Sequence, residues 1–264
     1  MIIIGERINT SRKFIEPAVV SRDFEFIKNE AINQFAAGAT HIDVNAGTLI
    51  NDEPAALAWL VETVQAVVNA PLCIDSPNPK ALEAGLKIHR GKAMINSITG
   101  EKERYRSILP LIKEYGAEVV ALAMDDNGMP CDAEGRIRIA SALIEQLSAD
   151  GIPLEDIYID PLIQPISTSP EQGIAVLETI QEIMRRYPGV HTICGLSNIS
   201  YGLPQRKLLN RSFLIMCMQV GLDAVIMDPL DREMMACLYA SQALLNKDEY
   251  CMQYIQAHRE GKLE

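Results

Sequence analysis

The sequence predicts a (β/α)8 TIM barrel built as a single domain. Short β-rich runs alternate with segments of helical periodicity along the chain, and eight such units fill most of its 264 residues. A barrel of this kind typically needs about 250 residues. The composition, 48% hydrophobic and 22% charged, supplies enough apolar surface for one large core.

The eight predicted strands are short runs of aliphatic and β-branched residues. In chain order they are IIIGERIN (2–9), THIDVNAG (40–47), PLCIDS (71–76), KAMINSI (92–98), EVVALAMD (118–125), DIYIDPLI (156–163), HTICGLSN (191–198) and DAVIMDP (223–229). A doubly wound open sheet is the alternative architecture. It would normally carry a glycine-rich phosphate-binding loop after its first strand, and the chain has no such motif, so the barrel is favoured.

Segments with apolar residues at helical spacing separate the strands. The predicted helices cover residues 24–37, 53–69, 80–89, 102–115, 135–149, 170–187, 207–220 and 231–245. In the second of these, Leu57, Val61 and Val64 belong to the apolar stripe, whereas Glu53 and Glu62 lie outside it. Five glycines are predicted to end helical runs, at positions 38, 85, 116, 151 and 221. After the barrel, residues 248–260 predict a short extra helix. No linker, repeat or low-complexity stretch divides the chain, so residues 1–264 are predicted to form one domain.

Composition excludes several classes of protein. The net charge of −11 argues against a nucleic-acid partner, because phosphate neutralisation needs clustered Lys and Arg. No apolar stretch is long enough for a membrane span, and the start of the chain does not resemble a signal peptide, so a cytoplasmic location is expected. The six cysteines are scattered without zinc-ligand spacing, and the chain is predicted to bind no metal.

Polar residues end most of the predicted strands. A single such residue is equally explained by a helix cap or a turn, but a barrel brings all the strand ends to one mouth. Burying this many carboxylates and amides together is costly unless they bind one another or a ligand. The set contains Glu6, Arg7, Asn9, Asp43, Asn45, Asp75, Ser76, Asn96, Ser197, Asn198 and Asp228, among others. The sequence therefore predicts a polar ligand site at the mouth.

The kinds of residue at the mouth indicate the kind of ligand. Acids and amides without a metal suit a heteroaromatic ring that presents hydrogen-bond donors and acceptors along one edge, such as a 2-amino-4-oxo pyrimidine. A carboxylate accepts from the amino and ring N–H groups, and an amide serves a ring acceptor and a ring donor together.

In order and spacing, the segments GERIN, DVNAG, CIDS, MINSI, YIDPL and GLSNISYGLPQR resemble the pterin-binding methyltransferase family. Members are TIM barrels that move a methyl group between methyltetrahydrofolate and a corrinoid on a separate protein. The resemblance runs from residue 1 to about residue 251. It implies tetrahydrofolate or 5-methyltetrahydrofolate as substrate, a cobalamin or other corrinoid carried by a partner protein, and a homodimer.

The resemblance also assigns roles to individual residues. It places pterin-binding carboxylates at Asp75 and Asp160, with Asp160 on the amino-pyrimidinone edge, and a pterin-binding amide at Asn96. It makes Asn198 the catalytic amide beside N5, the nitrogen that carries the methyl group. Further pterin-binding positions at the mouth are Glu6, Asn9, Asp43, Asn45, Ser197 and Arg206. Some relatives carry an amide directly after the serine that corresponds to Ser200, where this chain has Tyr201, and this difference bears on the choice of corrinoid protein.

The chemistry implied by the resemblance needs no nucleophilic side chain. In the folate-to-cobalt direction, Co(I) attacks the methyl group and N5 must gain a proton or a strong hydrogen bond, which Asn198 can support. Both directions share one transition state, so the direction stays open, as does the methyl source: carbon fixation, methyl ethers, methylamines or glycine betaine. Two alternatives remain, a dihydropteroate synthase-like enzyme and a folate-binding subunit without chemistry of its own.

Overall fold

The computed structural model describes residues 1–263 and confirms the barrel. Eight parallel strands alternate with helices along the chain. The strands are β1 Ile2–Asn9, β2 His41–Asn45, β3 Leu72–Asp75, β4 Met94–Gly100, β5 Glu118–Asp125, β6 Ile157–Asp160, β7 His191–Thr192 and β8 Ala224–Met227. The helices are α1 Ile15–Val20, α2 Phe24–Ala36, α3 Glu53–Gln65, α4 Pro79–Ile88, α5 Lys102–Tyr115, α6 Ala133–Ala149, α7 Gln172–Arg186, α8 Arg206–Gln219, α9 Arg232–Leu244 and α10 Met252–Arg259.

The strands pair in chain order, and β1 pairs with β8. The ring closes between β7 and β8 through a parallel bridge of Gly195 with Ile226, whose amide donates to the carbonyl of Cys194 at 3.0 Å. The register aligns neighbouring strand ends: Asn9 lies opposite Asn45, Asn45 opposite Asp75, and Asp75 opposite Asn96. Four residues predicted for the site therefore form one row across β1 to β4.

Side chains fill the barrel interior below this row. One buried layer comes from seven strands or strand extensions and consists of Ile4, Cys73, Met94, Val120, Tyr158, Ile193 and Ala224. A larger apolar core lies between the strands and the surrounding helices. Because side chains alternate along a strand, the residues two positions beyond the interior layer also point into the barrel, above the layer. The packed layer thus forms the floor of the mouth.

The segment predicted as a strand over 191–198 is different in the structure. Strand β7 covers two residues, and Leu196–Ser200 forms a 3₁₀ helix. The amide of Asn198 donates to the carbonyl of Gly195 at 3.4 Å, and the amide of Tyr201 donates to the carbonyl of Asn198 at 3.1 Å. These i to i+3 bonds turn the chain while Leu196 and Ile199 pack into the core. Asn198 therefore lies on a tight turn.

Two helical features also depart from the sequence prediction. Helix α1 was not predicted, and Gly85 lies inside α4 instead of ending it. A Cβ at position 85 would come within 3.1 Å of the Ile74 side chain, so this glycine permits close packing of α4 on β3. The helix α10 lies within the stretch for which the sequence predicts one. No helix within residues 1–263 has the length and apolar character needed to cross a membrane.

An ion pair at the opposite end of the barrel predicts a pH-dependent stability. The hydrogen bond between His191 Nδ1 and Asp223 Oδ2, at 2.6 Å, raises the pKa of His191 above its usual value, although burial opposes the shift. Its stabilisation is complete below the unfolded-state pKa and is lost as the pH rises through the raised folded-state pKa. We expect Asp223→Asn to lower the free energy of unfolding in urea more at about pH 6 than at about pH 8.5. An equal loss at both values would contradict this.

Candidate functional site

Strand geometry places three predicted side chains inside the mouth. Cys73, Met94 and Tyr158 belong to the interior layer, so the residues two positions further along their strands share the inward face. These residues are Asp75, Asn96 and Asp160. The sequence prediction that one carboxylate, one amide and a second carboxylate meet at the mouth is thus consistent with the strand register.

A cavity of about 250 Å³ opens at this point. Six of the ten predicted site residues line it, namely Glu6, Asn9, Asp43, Asp75, Asn96 and Ser197, together with Ser11, Arg12 and Ile226. Asn45 belongs to the same cluster through its contact with Asp75. Asp160, Asn198 and Arg206 do not line this cavity, so the structure divides the predicted set between the cavity and its surroundings.

Asp75 and Asn45 form the best-defined contact in the cavity. Asn45 Nδ2 donates to Asp75 Oδ2 at 2.8 Å, and the backbone amide of Gly47 donates to Asn45 Oδ1 at 2.8 Å. Because Oδ1 is occupied by that amide, the NH2 group of Asn45 must face the carboxylate. Burial raises the pKa of Asp75 to about 6, although the hydrogen bond from Asn45 and the charge of Arg104 oppose the rise.

Asp43 lies deeper, at the level of the interior layer, and is only 3% exposed. Burial and the nearby Asp75 charge raise the pKa of Asp43 well above its usual value, against a hydrogen bond with Cys73. Asp43 Oδ1 has no hydrogen-bond partner within residues 1–263. A buried polar atom that lines a cavity without a partner is suited to a ligand that brings a donor.

Arg12 lines the cavity and Arg104 lies behind it, and sequence reasoning missed both. Arg12 Nη2 donates to Glu6 Oε1 at 2.8 Å, which lowers the pKa of Glu6 while burial raises it, with burial the larger effect. Arg104 donates to the carbonyl of Ser97 through Nε and Nη2 and to that of Ser76 through Nη2, at 2.7 to 3.0 Å. It thereby joins the loops after β3 and β4. Nothing in the local pattern distinguishes these two arginines from surface cations.

Glu53, predicted to lie outside the apolar stripe, is buried at 4% exposure. Ser76 Oγ donates to its Oε1 at 2.5 Å, and Asn78 Nδ2 donates to its Oε2 at 3.2 Å. The start of α3 is therefore tied to the loop after β3, directly behind Asp75. The charge of Glu53 also raises the pKa of Asp75.

Asp160 occupies a separate position at the end of β6. Its Oδ1 accepts from the backbone amide of Leu162 at 2.7 Å. Burial raises the pKa of Asp160 to about 6, and the Leu162 amide and the Arg136 charge oppose the rise. One carboxylate oxygen is thus fixed by the backbone, and the other is left for a ligand.

Asn198 and Arg206 belong to the turn after β7. The Asn198 side chain is exposed, and a Cβ at position 195 would lie 3.7 Å from its Nδ2, so Gly195 leaves space beside the amide. Arg206 donates through Nη2 to the carbonyl of Ser197 at 2.6 Å and through Nε to Ser200 Oγ at 3.1 Å. Arg206 therefore holds the turn, and its predicted contact with a ligand stays a prediction.

A second cavity of about 320 Å³ adjoins the first and shares Glu6, Arg12 and Ser197 with it. Its charges are paired: Arg7 donates to Asp228 at 2.9 Å and to Glu30 at 2.7 Å, and Arg12 lies 3.7 Å from Asp228. These ion pairs fix the ends of β1 and β8. Residues 1–263 contain no group of three or more His, Cys, Asp or Glu side chains arranged to hold a metal ion.

Comparison with known proteins identifies the relatives of this chain. The model of the family described as "Pterin binding enzyme" matches residues 5–228. A methylcorrinoid:tetrahydrofolate methyltransferase of Eubacterium limosum is 38% identical over 265 residues, covering all of this chain and 98% of that protein. The methionine synthase of Mycobacterium tuberculosis is 33% identical over 239 residues, covering 86% of this chain but only 20% of that larger protein.

Solved structures share the fold at lower identity. Dihydropteroate synthase from Yersinia pestis superposes with a TM-score of 0.69 at 18% identity, covering 93% of each chain. The enzyme from Xanthomonas albilineans gives a TM-score of 0.71 at 18% identity, covering 93% of this chain and 92% of that one. These likenesses establish the barrel, and the family match rests on the sequence. The chain belongs to the family of pterin-binding enzymes and, within it, to the group that includes the methylcorrinoid:tetrahydrofolate methyltransferase of Eubacterium limosum.

Proposed function

We propose that this protein transfers a methyl group between N5 of tetrahydrofolate and the cobalt of a corrinoid bound to a separate protein, in one-carbon metabolism. The full-length similarity to the Eubacterium limosum methyltransferase carries this proposal. The inward positions of Asp75, Asn96 and Asp160 support it, because they offer the acceptors and the amide that a pterin ring requires.

The donor and acceptor pattern of the site fits a pterin. Asp160 has one carboxylate oxygen held by Leu162, which leaves the other for the amino-pyrimidinone edge. Asp43 lines the cavity and its Oδ1 has no partner in the described chain, and Asp75 keeps Oδ1 available. We assign pterin binding to these residues, to Asn96, and to the other polar positions at the mouth: Glu6, Asn9, Asn45, Ser197 and Arg206.

Asn198 is proposed to act on N5. Its amide is exposed on the turn after β7, and Arg206 steadies this turn through the carbonyl of Ser197. The amide carbonyl accepts a hydrogen bond from protonated N5 as the C–N bond to the methyl group breaks. In the opposite direction N5 attacks the methyl group, the amide carbonyl accepts a hydrogen bond from the N5–H group of the resulting cation, and the proton then leaves to solvent. The chain therefore needs no covalent nucleophile of its own.

The corrinoid supplies the cobalt that accepts or donates the methyl group, and it must approach through the open mouth. Apolar side chains are exposed in four of the loops that surround the mouth: Phe14 44%, Ile50 81%, Met129 56% and Tyr201 66%. Exposed apolar groups around a polar site are typical of a protein-docking surface. We assign this rim, formed by Phe14, Ile50, Met129 and Tyr201, to the corrinoid protein.

Methyl transfer with free cobalamin tests the function directly. The protein is mixed either with Co(I)alamin and 5-methyltetrahydrofolate or with methylcobalamin and tetrahydrofolate, and the cobalt absorption spectrum is followed. Conversion in either direction establishes the reaction. Failure with free cobalamin and with the corrinoid protein alike, while folate still binds, would favour a binding subunit without chemistry.

The rim predicts a partner-specific defect. We expect Ile50→Asp and Met129→Asp to lower kcat/KM about tenfold with a protein-bound corrinoid and to leave transfer to free cobalamin unchanged, since only docking needs these apolar groups. Leu244→Asp is the matched control, because Leu244 is 86% exposed but lies at the end of α9, away from the mouth. An equal loss with free cobalamin would show that the rim acts on the site itself.

Dihydropteroate synthase activity is the second candidate. The solved neighbours support only a common fold with those enzymes, whereas the full-length relative is a methyltransferase. Condensation of a pterin pyrophosphate with 4-aminobenzoate distinguishes the two activities in one assay. We expect no product, because the segment GLSNISYG after β7 contains no lysine or arginine to handle a pyrophosphate leaving group.

Assembly and location complete the proposal. On α8, Phe213, Leu214, Cys217 and Met218 are buried, yet Ile215 and Met216 on the opposite face are 44% and 45% exposed. We assign this outer face of α8 to a homodimer contact. We also assign the protein to the cytoplasm, as one pterin-binding domain of 264 residues. This domain is expected to bind no metal, nucleic acid or membrane. Sedimentation velocity tests the dimer.

A further inference from the structure

Helix α6 carries a fully buried arginine near the mouth. Arg136 has 0% exposure. Its Nη2 donates to Gln172 Oε1 at 2.5 Å and to the carbonyl of Leu162 at 3.3 Å. Gln172 in turn donates through Nε2 to the carbonyl of Cys131 at 2.9 Å. Arg136 therefore links the loops after β5 and β6 to the start of α7.

The contact with Leu162 leads directly to Asp160. The amide of Leu162 donates to Asp160 Oδ1 at 2.7 Å, while the carbonyl of the same residue accepts from Arg136. Leu162 has a φ of +56°, a left-handed conformation that costs a non-glycine residue energy. The surrounding structure must hold such a conformation in place, and Arg136 is the side chain that binds its carbonyl.

The charge of Arg136 also acts on Asp160. Burial raises the pKa of Asp160, and the positive charge of Arg136 opposes that rise. The Cys194 thiol also faces Asp160, and Asp132 and Cys131 lie near Arg136. Asp160 must be ionised if it is to accept from the N–H donors of a pterin edge as well as from the Leu162 amide.

Keeping this cation buried is costly. Arg136 Nε and Nη1 have no hydrogen-bond partner within residues 1–263, and burial lowers the pKa of the guanidinium. Burying a charge without a full set of partners costs free energy that an apolar side chain of similar volume would not. Stability alone therefore gives a weak reason for an arginine at this position.

We propose that Arg136 is a positioning residue for the ligand carboxylate Asp160: through Leu162 it fixes the direction of the carboxylate, and through its charge it keeps the carboxylate ionised. This role rests on the proposed function, since it needs a pterin edge at Asp160. It explains why a guanidinium is buried behind the mouth.

Binding of 5-methyltetrahydrofolate, measured by calorimetry at three pH values between about 6 and 8.5, tests the role. For Arg136→Met we expect affinity about tenfold below that of the unaltered protein at the lowest pH, with the ratio shrinking as the pH rises and Asp160 ionises. Arg136→Lys keeps the charge but lacks the planar fork, so its loss should be smaller and independent of pH. Arg138→Met, on an exposed face of the same helix, is the matched control and should bind normally.

The outcomes separate the two proposals. Normal affinity in both Arg136 variants at every pH, with the unaltered protein binding folate, overturns the positioning role and leaves the proposed function intact. A loss in Arg136→Met that is the same at every pH overturns the electrostatic part of the role. If Arg136→Met does not fold, normal affinity in Arg136→Lys overturns the part of the role that acts through Leu162, and normal affinity at every pH in Arg136→Gln, which removes the charge, overturns the electrostatic part. Absence of folate binding by the unaltered protein overturns the proposed function, and the positioning role falls with it.

Discussion

Replacing Asn198 by alanine is expected to lower the turnover of methyl transfer by roughly a hundredfold or more while folate affinity changes little. A hydrogen-bonding group placed where charge develops in a transition state typically contributes this much. The structure gives Asn198 an exposed amide on the turn Leu196–Ser200, and Gly195 leaves space beside it. Such a group can strengthen its bond to N5 in the transition state without holding the substrate in the ground state.

Single-turnover kinetics with free cobalamin and calorimetric folate binding measure the two quantities separately. Asn127→Ala is the matched control, because Asn127 is an exposed amide in the loop after β5 on the same face of the barrel. Its turnover should be unchanged. An Asn198→Ala variant with unaltered turnover would show that N5 is served by another group.

Replacing Asp160 by alanine is expected to abolish measurable folate binding, with an affinity loss of about a hundredfold or more. Removing a buried charged partner leaves the N–H donors of the ligand unpaired, and this penalty exceeds that of losing a neutral hydrogen bond. Turnover at saturating folate, if it can be reached, should fall less, which is the opposite of the Asn198→Ala pattern.

The pKa of Asp160 adds a pH test to this prediction. Since burial raises this pKa to about 6, the carboxylate is ionised above that value and becomes protonated below it. Folate affinity is therefore expected to fall as the pH drops through about 6. Asp75, whose pKa is also raised to about 6, contributes to the same fall in affinity. Asp160→Asn keeps the shape of the side chain and should remove its share of the pH dependence. If the pH dependence of folate affinity is unchanged in Asp160→Asn, the fall in affinity at low pH belongs to other groups.

The strands and the row of polar strand ends were predictable because both follow from local periodicity. Strands β1 and β5 have the predicted limits, Ile2–Asn9 and Glu118–Asp125. Alternation along β3 and β4 then fixes which of their residues point into the mouth. The apolar run around Cys194 misled the prediction for β7, because Leu196 and Ile199 bury their side chains from a 3₁₀ turn as effectively as from a strand.

The buried charged side chains behind the site could not be predicted, since their burial depends on contacts between distant parts of the chain. Arg136 follows the loop after β5 and meets Gln172, 36 positions later. Glu53 looked like a surface residue of α3 but meets Ser76, 23 positions later. An arginine or a glutamate in an amphipathic helix is normally exposed, so only tertiary structure shows that these two are buried.

The barrel closes beside the turn that carries Asn198. The turn that carries Asn198 starts at the bridge between Gly195 and Ile226, where the two-residue strand β7 gives way to irregular backbone. Regions with little backbone pairing open locally at low free-energy cost, without unfolding the whole domain. Asp75, proposed to bind the pterin, ends a strand that pairs with a neighbour on each side, whereas the amide proposed for N5 lies on the turn beside the bridge. The proposed site thus joins regular strand backbone at Asp75 to irregular backbone at Asn198.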